Sequence, residues 1–548
     1  MNYFDTHRDL LEKAKEAIKD RGYWSPYPEH PKAYAENAAE EGNTAFGKRL
    51  NLPYEELGVE SESWSGEEVS PYWQTGLGIS YPALSAEELI ANANSAATWG
   101  DLSADDRAGI LIESLKRVES RYFEIAYATM HTTGQSFMMA FQASGPHAND
   151  RALEAIALGH EELTRFPSDL DWVKPMGKFD LQIHKEYKAI PRGTGLVIGC
   201  STFPTWNTVP GMYASLITGN PVIVKPHPKS ILPIAIVIAE LRNVLREANV
   251  DPNVIQLAVD TLANPITKEL AEHEDIRLID YTGGSAFGDY IETLDKITFT
   301  EKSGVNSVIL DSVKDIKPIV QNIAFATSLY SGQMCTAPQN VFVPSDGIDT
   351  EEGHLSFDEV ASAISAAVKG LIEHPKMGAG TLGSIQNDMT LKRINSAGDF
   401  GGELALDALD VKNPEFEHAR IASPKVIVTD EQNVEAYANE CFGPIVFVVK
   451  TSDRQRNLEI VADLARTKGA ITCSAYCSDE QFAKEIVQTM NRAFTPVSLN
   501  FSGAAFVNQH AAFSDFHVTG GNPAGNATFT NPEYIVKRFV WVGNRFFG

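Results

Sequence analysis

The sequence predicts an α/β protein of two doubly wound, Rossmann-like domains with a small β arm. Three observations carry that expectation. From residue 195 onward, short uninterrupted apolar runs alternate with helical segments, the pattern of a parallel sheet covered on both faces. At 548 residues the chain exceeds what one hydrophobic core fills. Two stretches, K-F-D-L-Q-I-H-K-E-Y-K-A-I-P (178–191) and Y-I-V-K-R-F-V-W-V-G (534–543), read as exposed antiparallel edge structure, the first as a hairpin.

The opening M-N-Y-F-D-T-H-R-D-L-L-E-K-A-K-E is charged throughout and lacks the apolar region of an export signal. Residues 21–80, rich in Pro, Tyr, Trp, Glu and Gly, are expected to form a loop-like N-terminal arm. At Ser85 a capping serine with two acids opens a helix, and R-A-G-I-L-I-E-S-L-K-R-V-E continues with helical spacing. The first α/β series follows: L-V-I-G-C, a helix to Ile217, P-V-I-V-K, S-I-L-P-I-A-I-V-I-A-E-L-R, N-V-I-Q-L-A-V, a short helix and I-R-L-I-D-Y-T-G-G. The second places strands at N-V-F-V-P, K-V-I-V-T, I-V-F-V-V-K, A-I-T-C-S-A-Y and V-S-L-N-F. The expected boundaries are 1–172 with 192–300 for the first domain, 301–510 for the second, and 173–191 with 511–548 for the arm.

A formal charge of −26 repels phosphate backbones, so small molecules are favoured over nucleic acid as partners. No run approaches the roughly 20 apolar residues of a membrane span. The five cysteines form no disulfide framework, which suits a reducing, cytoplasmic setting, and Cys473 with Cys477 lacks the partners of a zinc site. No metal is expected.

Ligands in doubly wound sheets gather beyond the C-terminal strand ends. Three features fall there. Lys225 closes P-V-I-V-K-P, as a surface lysine or as a cation in the ligand crevice. The glycines of Y-T-G-G-S-A-F-G (281–288) make either an ordinary tight turn or a helix start that faces a phosphate. Cys335 in Y-S-G-Q-M-C-T and Glu301 in T-E-K-S-G are either a buried thiol and a surface carboxylate or a nucleophile with its base. Spacing alone leaves each pair of readings open.

The set P-V-I-V-K-P, Y-T-G-G-S-x-x-G, E-K-S-G, S-G-Q-M-C and E-C-F-G-P, in this order from about residue 85 to the end, resembles the NAD(P)-dependent aldehyde dehydrogenase superfamily. The resemblance makes the first domain NAD(P)-binding and the second catalytic. It implies that Cys335 attacks the aldehyde to give a thiohemiacetal, that hydride passes to the nicotinamide, and that Glu301 activates water against the thioester. That task suits a carboxylate whose pKa burial has raised. By the same resemblance Lys225 meets the adenosine ribose, Thr282, Gly283, Gly284 and Gly288 form the pyrophosphate turn, and Glu440 with Phe442 positions the nicotinamide end. The arm implies a homodimer or homotetramer.

Two departures stand out. The family's oxyanion asparagine is replaced in C-S-T-F-P-T-W-N, leaving Thr202 by register or Asn207 from the following helix. Three residues past Lys225, a frequent glutamate is Pro228, between His227 and Lys229. Losing an acid beside cations points to NADP, with NAD as a further cofactor. The long N-terminal segment, K-P-H-P and the tail N-P-A-G-N-A-T-F-T-N-P-E-Y resemble the phenylacetate-degradation branch and the semialdehyde dehydrogenases of benzoyl-CoA pathways. That narrower resemblance implies a ring-cleavage semialdehyde substrate, free or CoA-linked, in aromatic catabolism. A CoA-acylating enzyme and a weakly catalytic binding protein are the alternatives. The stretch F-V-N-Q-H-A-A-F-S-D-F-H (506–517) either packs or forms a pocket wall.

Overall fold

A computed structural model describes residues 3–507, 513, 517, 520–528 and 531–547. The stretch 506–517 therefore lies partly outside the described residues, at 508–512 and 514–516. The two α/β series form two sheets. The first is wholly parallel, in the order Ile255–Leu257, Val222–Lys225, Thr194–Ile198, Ile276–Thr282, Ile297–Glu301. The second has seven strands, in the order Glu403–Leu406, Lys425–Asp430, Ile445–Thr451, Asn340–Pro344, Ser307–Leu310, Cys473–Tyr476, Val497–Leu499. Only its edge strand Glu403–Leu406 runs antiparallel.

Side-chain alternation explains why these strands read as solid apolar runs. Ile309, Phe342 and Phe447 face one core, against Leu458 and Ile486 of two covering helices. Val308, Val341 and Val448 face the other, against Ile323 and Ile364. The strands Ile297–Glu301 and Ser307–Leu310, absent from the sequence reading, lie on either side of the expected junction near residue 300. The short segment between them crosses from one sheet to the other, and the tail returns to the first where Gly525 bridges Glu301, so the base expected at Glu301 stands at the domain boundary.

The arm is a three-stranded antiparallel sheet in the order Phe539–Phe546, Asp180–Pro191, Asp169–Pro175. The stretch 178–191 is thus one long central strand and not a hairpin in itself; its hairpin partner is Asp169–Pro175, paired Trp172 to Ile183. The C-terminal strand is anchored by Arg538. That side chain is wholly buried and forms a bidentate pair with Asp280 at 2.6 and 2.7 Å.

The N-terminal segment has more regular structure than expected. Helices Tyr3–Asp20 and Ala38–Gly47 pack on the first domain, where Leu11 and Phe46 enter its core. Within the expected loop, Glu68 accepts from the N–H groups of Ile231 and Leu232 at 2.6 and 2.9 Å, capping helix Leu232–Glu247 from outside. Long-range contacts of this kind leave no periodic signal. Among the described residues no helix is long and apolar enough to cross a membrane.

Candidate functional site

The C-terminal strand ends of the first sheet and the N-terminal ends of strands Cys473–Tyr476 and Val497–Leu499 of the second open into a cavity of about 930 Å³. Cys335 reaches it on a strained approach. After helix Ile316–Ser328, Tyr330, Ser331 and Gly332 take left-handed φ values of 53°, 53° and 63°. Two consecutive non-glycine residues there cost about 1–3 kcal/mol each and persist only when the surroundings enforce them. The buried Ser331 hydroxyl does so by donating to Ala422 O at 2.7 Å and bonding Gly383, while Tyr330 donates to Thr133 O at 2.6 Å. At Gly332 a Cβ would meet Gly443 O at 2.5 Å, so only glycine fits. Beyond the cysteine, Asn306 Nδ2 donates to Cys335 O at 2.7 Å, and Asn306 Oδ1 accepts from Ile471 and Thr472 N–H.

Glu301 is the last residue of the edge strand Ile297–Glu301. Its side chain enters the same cavity and meets two partners. Asn207 Nδ2 donates to Oε2 at 3.2 Å, and His517 Nε2 lies 2.9 Å from Oε1. The same Nε2 is 3.3 Å from Cys335 Sγ. The donor atoms of Glu301, Cys335 and His517 all lie within 4.8 Å of one another, a spacing that direct hydrogen bonds account for. The ring of His517 packs edge-on against Trp206 at 4.5 Å, and Arg151 stacks on Trp206 with Cζ 3.9 Å from its centroid.

Electrostatics departs from expectation at Glu301. Burial raises its pKa, but the imidazole of His517, the Arg151 cation and the Cys335 thiol outweigh burial and hold the carboxyl below its ordinary range. The expected burial-raised base is therefore a stabilised carboxylate. The Cys335 thiol is pushed well above its ordinary pKa, first by burial and then by the Glu301 charge. It needs a proton acceptor close by.

The remaining expected residues divide. Asn207 lines the cavity, whereas Thr202 does not: its hydroxyl lies 3.7 Å from Cys200 Sγ and its carbonyl accepts from Gln135. Thr282 lines the cavity. The Gly283 N–H does not face open space, because it donates to Glu301 O at 3.0 Å and ties the glycine turn to the base. At Gly284 nothing lies within 4 Å of a Cβ, at the start of helix Ser285–Glu292, which has no side-chain cap. That opening and the uncapped N–H groups fit a phosphate. Gly288 serves packing, since a Cβ there would meet the Lys302 side chain at 2.5 Å. Lys302 pairs with Asp289 and Glu292, both at 2.8 Å, and so pins that helix to the strand that ends in Glu301.

Lys225 Nζ is buried 2.6 Å from Asp260. His227 is not the expected cation: burial, then the charges of Lys225 and Lys229, lowers its pKa to about 4. Lys229 Nζ leans towards Asp388 at 4.0 Å. On the other sheet Glu440 Oε1 accepts from Gly304 N–H at 3.5 Å, and Phe442 O accepts from Arg393 at 2.7 Å. Glu440 and Phe442 line a small recess that also contains Met334, next to Cys335. Sequence reasoning missed Asp260, Arg151 and Asn306, and gave His517 only as the end of the stretch 506–517; contact across the fold selects all four.

Comparison with known proteins gives one consistent result. A model of the aldehyde dehydrogenase family matches residues 65–515. The crystal structure of an NAD-dependent aldehyde dehydrogenase from Burkholderia multivorans is similar over 100% of this chain and 99% of that one, with 44% identity and a TM-score of 0.96. A 1-pyrroline-5-carboxylate dehydrogenase of Oceanobacillus iheyensis is 24% identical over 83% of this chain and 85% of its own. An alpha-ketoglutaric semialdehyde dehydrogenase of Bacillus subtilis is 24% identical over 69% and 75%.

Proposed function

Because the chain belongs to the aldehyde dehydrogenase family and is an oxidoreductase, we propose that it oxidises a carboxylate-bearing semialdehyde to the acid through a Cys335 thioester. The observation that carries this reading is the meeting of Cys335, Glu301 and His517 within 4.8 Å on one cavity wall. A nicotinamide dinucleotide along Lys225, the Gly284 turn, Glu440 and Phe442 would supply the hydride acceptor. Cys335 Sγ adds to the carbonyl carbon, and the Asn207 amide is the cavity-side donor for the oxyanion. Glu301 then takes a proton from the water that attacks the thioester, releasing the acid.

The substrate class follows from the lining. Phe203, Trp206, Phe325, Phe501 and Phe506 make an apolar wall, and Arg151 is a cation that shares the cavity with Glu29, Glu154, Asp280 and Glu301. An apolar chain whose carboxylate reaches Arg151 is the proposed match. A ring-cleavage semialdehyde of aromatic catabolism, as the resemblance to the phenylacetate branch implies, has that character. The relatives named for 1-pyrroline-5-carboxylate and alpha-ketoglutaric semialdehyde support an acidic substrate by analogy. For the cofactor, loss of the glutamate at Pro228 supports NADP, while Asp260 at Lys225 and the NAD-dependent neighbour support NAD; the proposal is that both serve.

A reducing, cytoplasmic setting belongs to the same reading, since the nucleophile must remain a thiol. The exposed Ile190, Val540, Val542 and Phe546 on the arm support self-association. The test is formation of reduced cofactor from NAD and from NADP over acidic, neutral and CoA-linked semialdehydes, with and without free CoA. Turnover of acidic semialdehydes without CoA is expected. Turnover only with free CoA would replace this reading with the acylating one.

A further inference from the structure

Of the titratable groups in the cavity that the mechanism above leaves idle, His517 is the one bonded to both reacting side chains. The His517 imidazole presents a single nitrogen, Nε2, to two reacting side chains, 3.3 Å from Cys335 Sγ and 2.9 Å from Glu301 Oε1. Trp206 packs edge-on against its ring, which is 16% exposed. With the ring hydrogen on Nδ1, the Nε2 lone pair faces the thiol. Once Nε2 is protonated, it donates to the Glu301 carboxylate. One atom is thus placed both to receive the thiol proton and to be held once charged.

We propose that His517 is a catalytic residue whose Nε2 takes the Cys335 thiol proton and later returns it, with Glu301 bracing the charged ring. The proposal rests on the reading of Cys335 as nucleophile. In the first half, the S–H bond breaks and an Nε2–H bond forms, leaving a thiolate and an imidazolium. The thiolate adds to the aldehyde carbon, and hydride leaves that carbon for the nicotinamide to give the thioester. In the second half, water adds to the thioester carbon and its proton goes to Glu301. Collapse expels the thiolate, which recovers its proton from Nε2, and Glu301 releases its proton to solvent. The sum is aldehyde, oxidised cofactor and water giving acid, reduced cofactor and one proton.

The geometry explains how a buried thiol beside a carboxylate can act. Alone, that pair resists forming a thiolate, because a second negative charge would develop beside the first. Moving the proton only as far as Nε2 keeps a positive charge between the two anions. The Arg151 charge, attracted to both Glu301 and Cys335, adds to the same balance.

The test is the rate at which iodoacetamide alkylates Cys335, read by peptide mass, in wild type, His517→Ala and His517→Gln without substrate. General base assistance is worth about 10²–10⁴-fold. Both variants are expected to alkylate at least about tenfold more slowly. Added imidazole should restore much of the rate in His517→Ala but not in His517→Gln, where the amide fills the space. Steady-state kcat should fall about 100-fold with a small change in aldehyde KM.

Alkylation within twofold of wild type in either folded variant overturns the proposal. Slowed alkylation that imidazole leaves unchanged in His517→Ala overturns it too, by assigning the histidine a structural role. Failure of the underlying reading shows separately, as turnover that survives Cys335→Ala.

Discussion

Asn207 Nδ2 donates to Glu301 Oε2 at 3.2 Å across 94 residues of sequence. That bond places the only amide expected near the oxyanion on the wall that holds the base, while the Thr202 hydroxyl is turned to Cys200. Loss of one oxyanion donor costs about 10²–10³ in kcat. Asn207→Ala should therefore lower kcat by that amount, and Thr202→Ala by less than about threefold, in steady-state assays. The reverse order would return the oxyanion role to Thr202.

Glu301→Gln keeps the shape and removes the base. Acyl transfer to Cys335 should survive while hydrolysis slows at least about 100-fold. Rapid mixing should then show one burst of reduced cofactor per active site, with a thioester that hydroxylamine traps. A variant without burst and without slow phase would make the bracing of His517 the larger part of what Glu301 does.

Asp260 is the carboxylate beside Lys225, the residue proposed to meet the adenosine ribose. If it repels a 2′-phosphate, Asp260→Asn should raise the NADP-to-NAD ratio of kcat/KM about tenfold, equivalent to about 1.4 kcal/mol. Lys225→Met should raise KM for both cofactors. An unchanged ratio would leave selectivity to the segment around Pro228.

Glu154, on the helix that also bears Arg151, sets a pH dependence. Burial raises its pKa from an ordinary 4.5 to about 7, against the pull of Arg151. A folded pKa above the unfolded one means the stabilising contribution is full below about pH 4.5 and is lost as pH rises to about 7. At pH 8 the charged form then costs up to about 3 kcal/mol. Glu154→Gln should raise the melting temperature at pH 8 and change it little at pH 5.

The arm exposes Val540 and Val542 on its C-terminal strand. Val540→Asp with Val542→Asp should shift the particle to a smaller species in light scattering without unfolding it. An unchanged mass would remove this edge from the assembly contact.

Most strands were legible through a local rule, that a parallel strand covered on both faces is apolar at every position, as I-V-F-V-V shows at 445–449, whereas I-T-F-T-E at 297–301 breaks it and was missed. The start of the helix at Ser85 was legible for the same reason, since its capping box with Glu88 lies within four residues. The N-terminal segment was not, because Glu68 caps a helix that starts more than 160 residues later. The expected cation at His227 and the burial-raised base at Glu301 failed alike, as a side chain's charge depends on its neighbours in space.

By itself, then, the sequence determined most strands of the two sheets and singled out Cys335, Glu301, Lys225 and Glu440 by their motifs. Periodicity and short motifs encode what the backbone does within a few residues. Only the tertiary structure decided that Asn207 and not Thr202 reaches the cavity, that Asp260 pairs with Lys225, and that His517 meets Cys335 across 182 positions. Those contacts hold over about 3 Å, a distance set by packing and written in no local pattern.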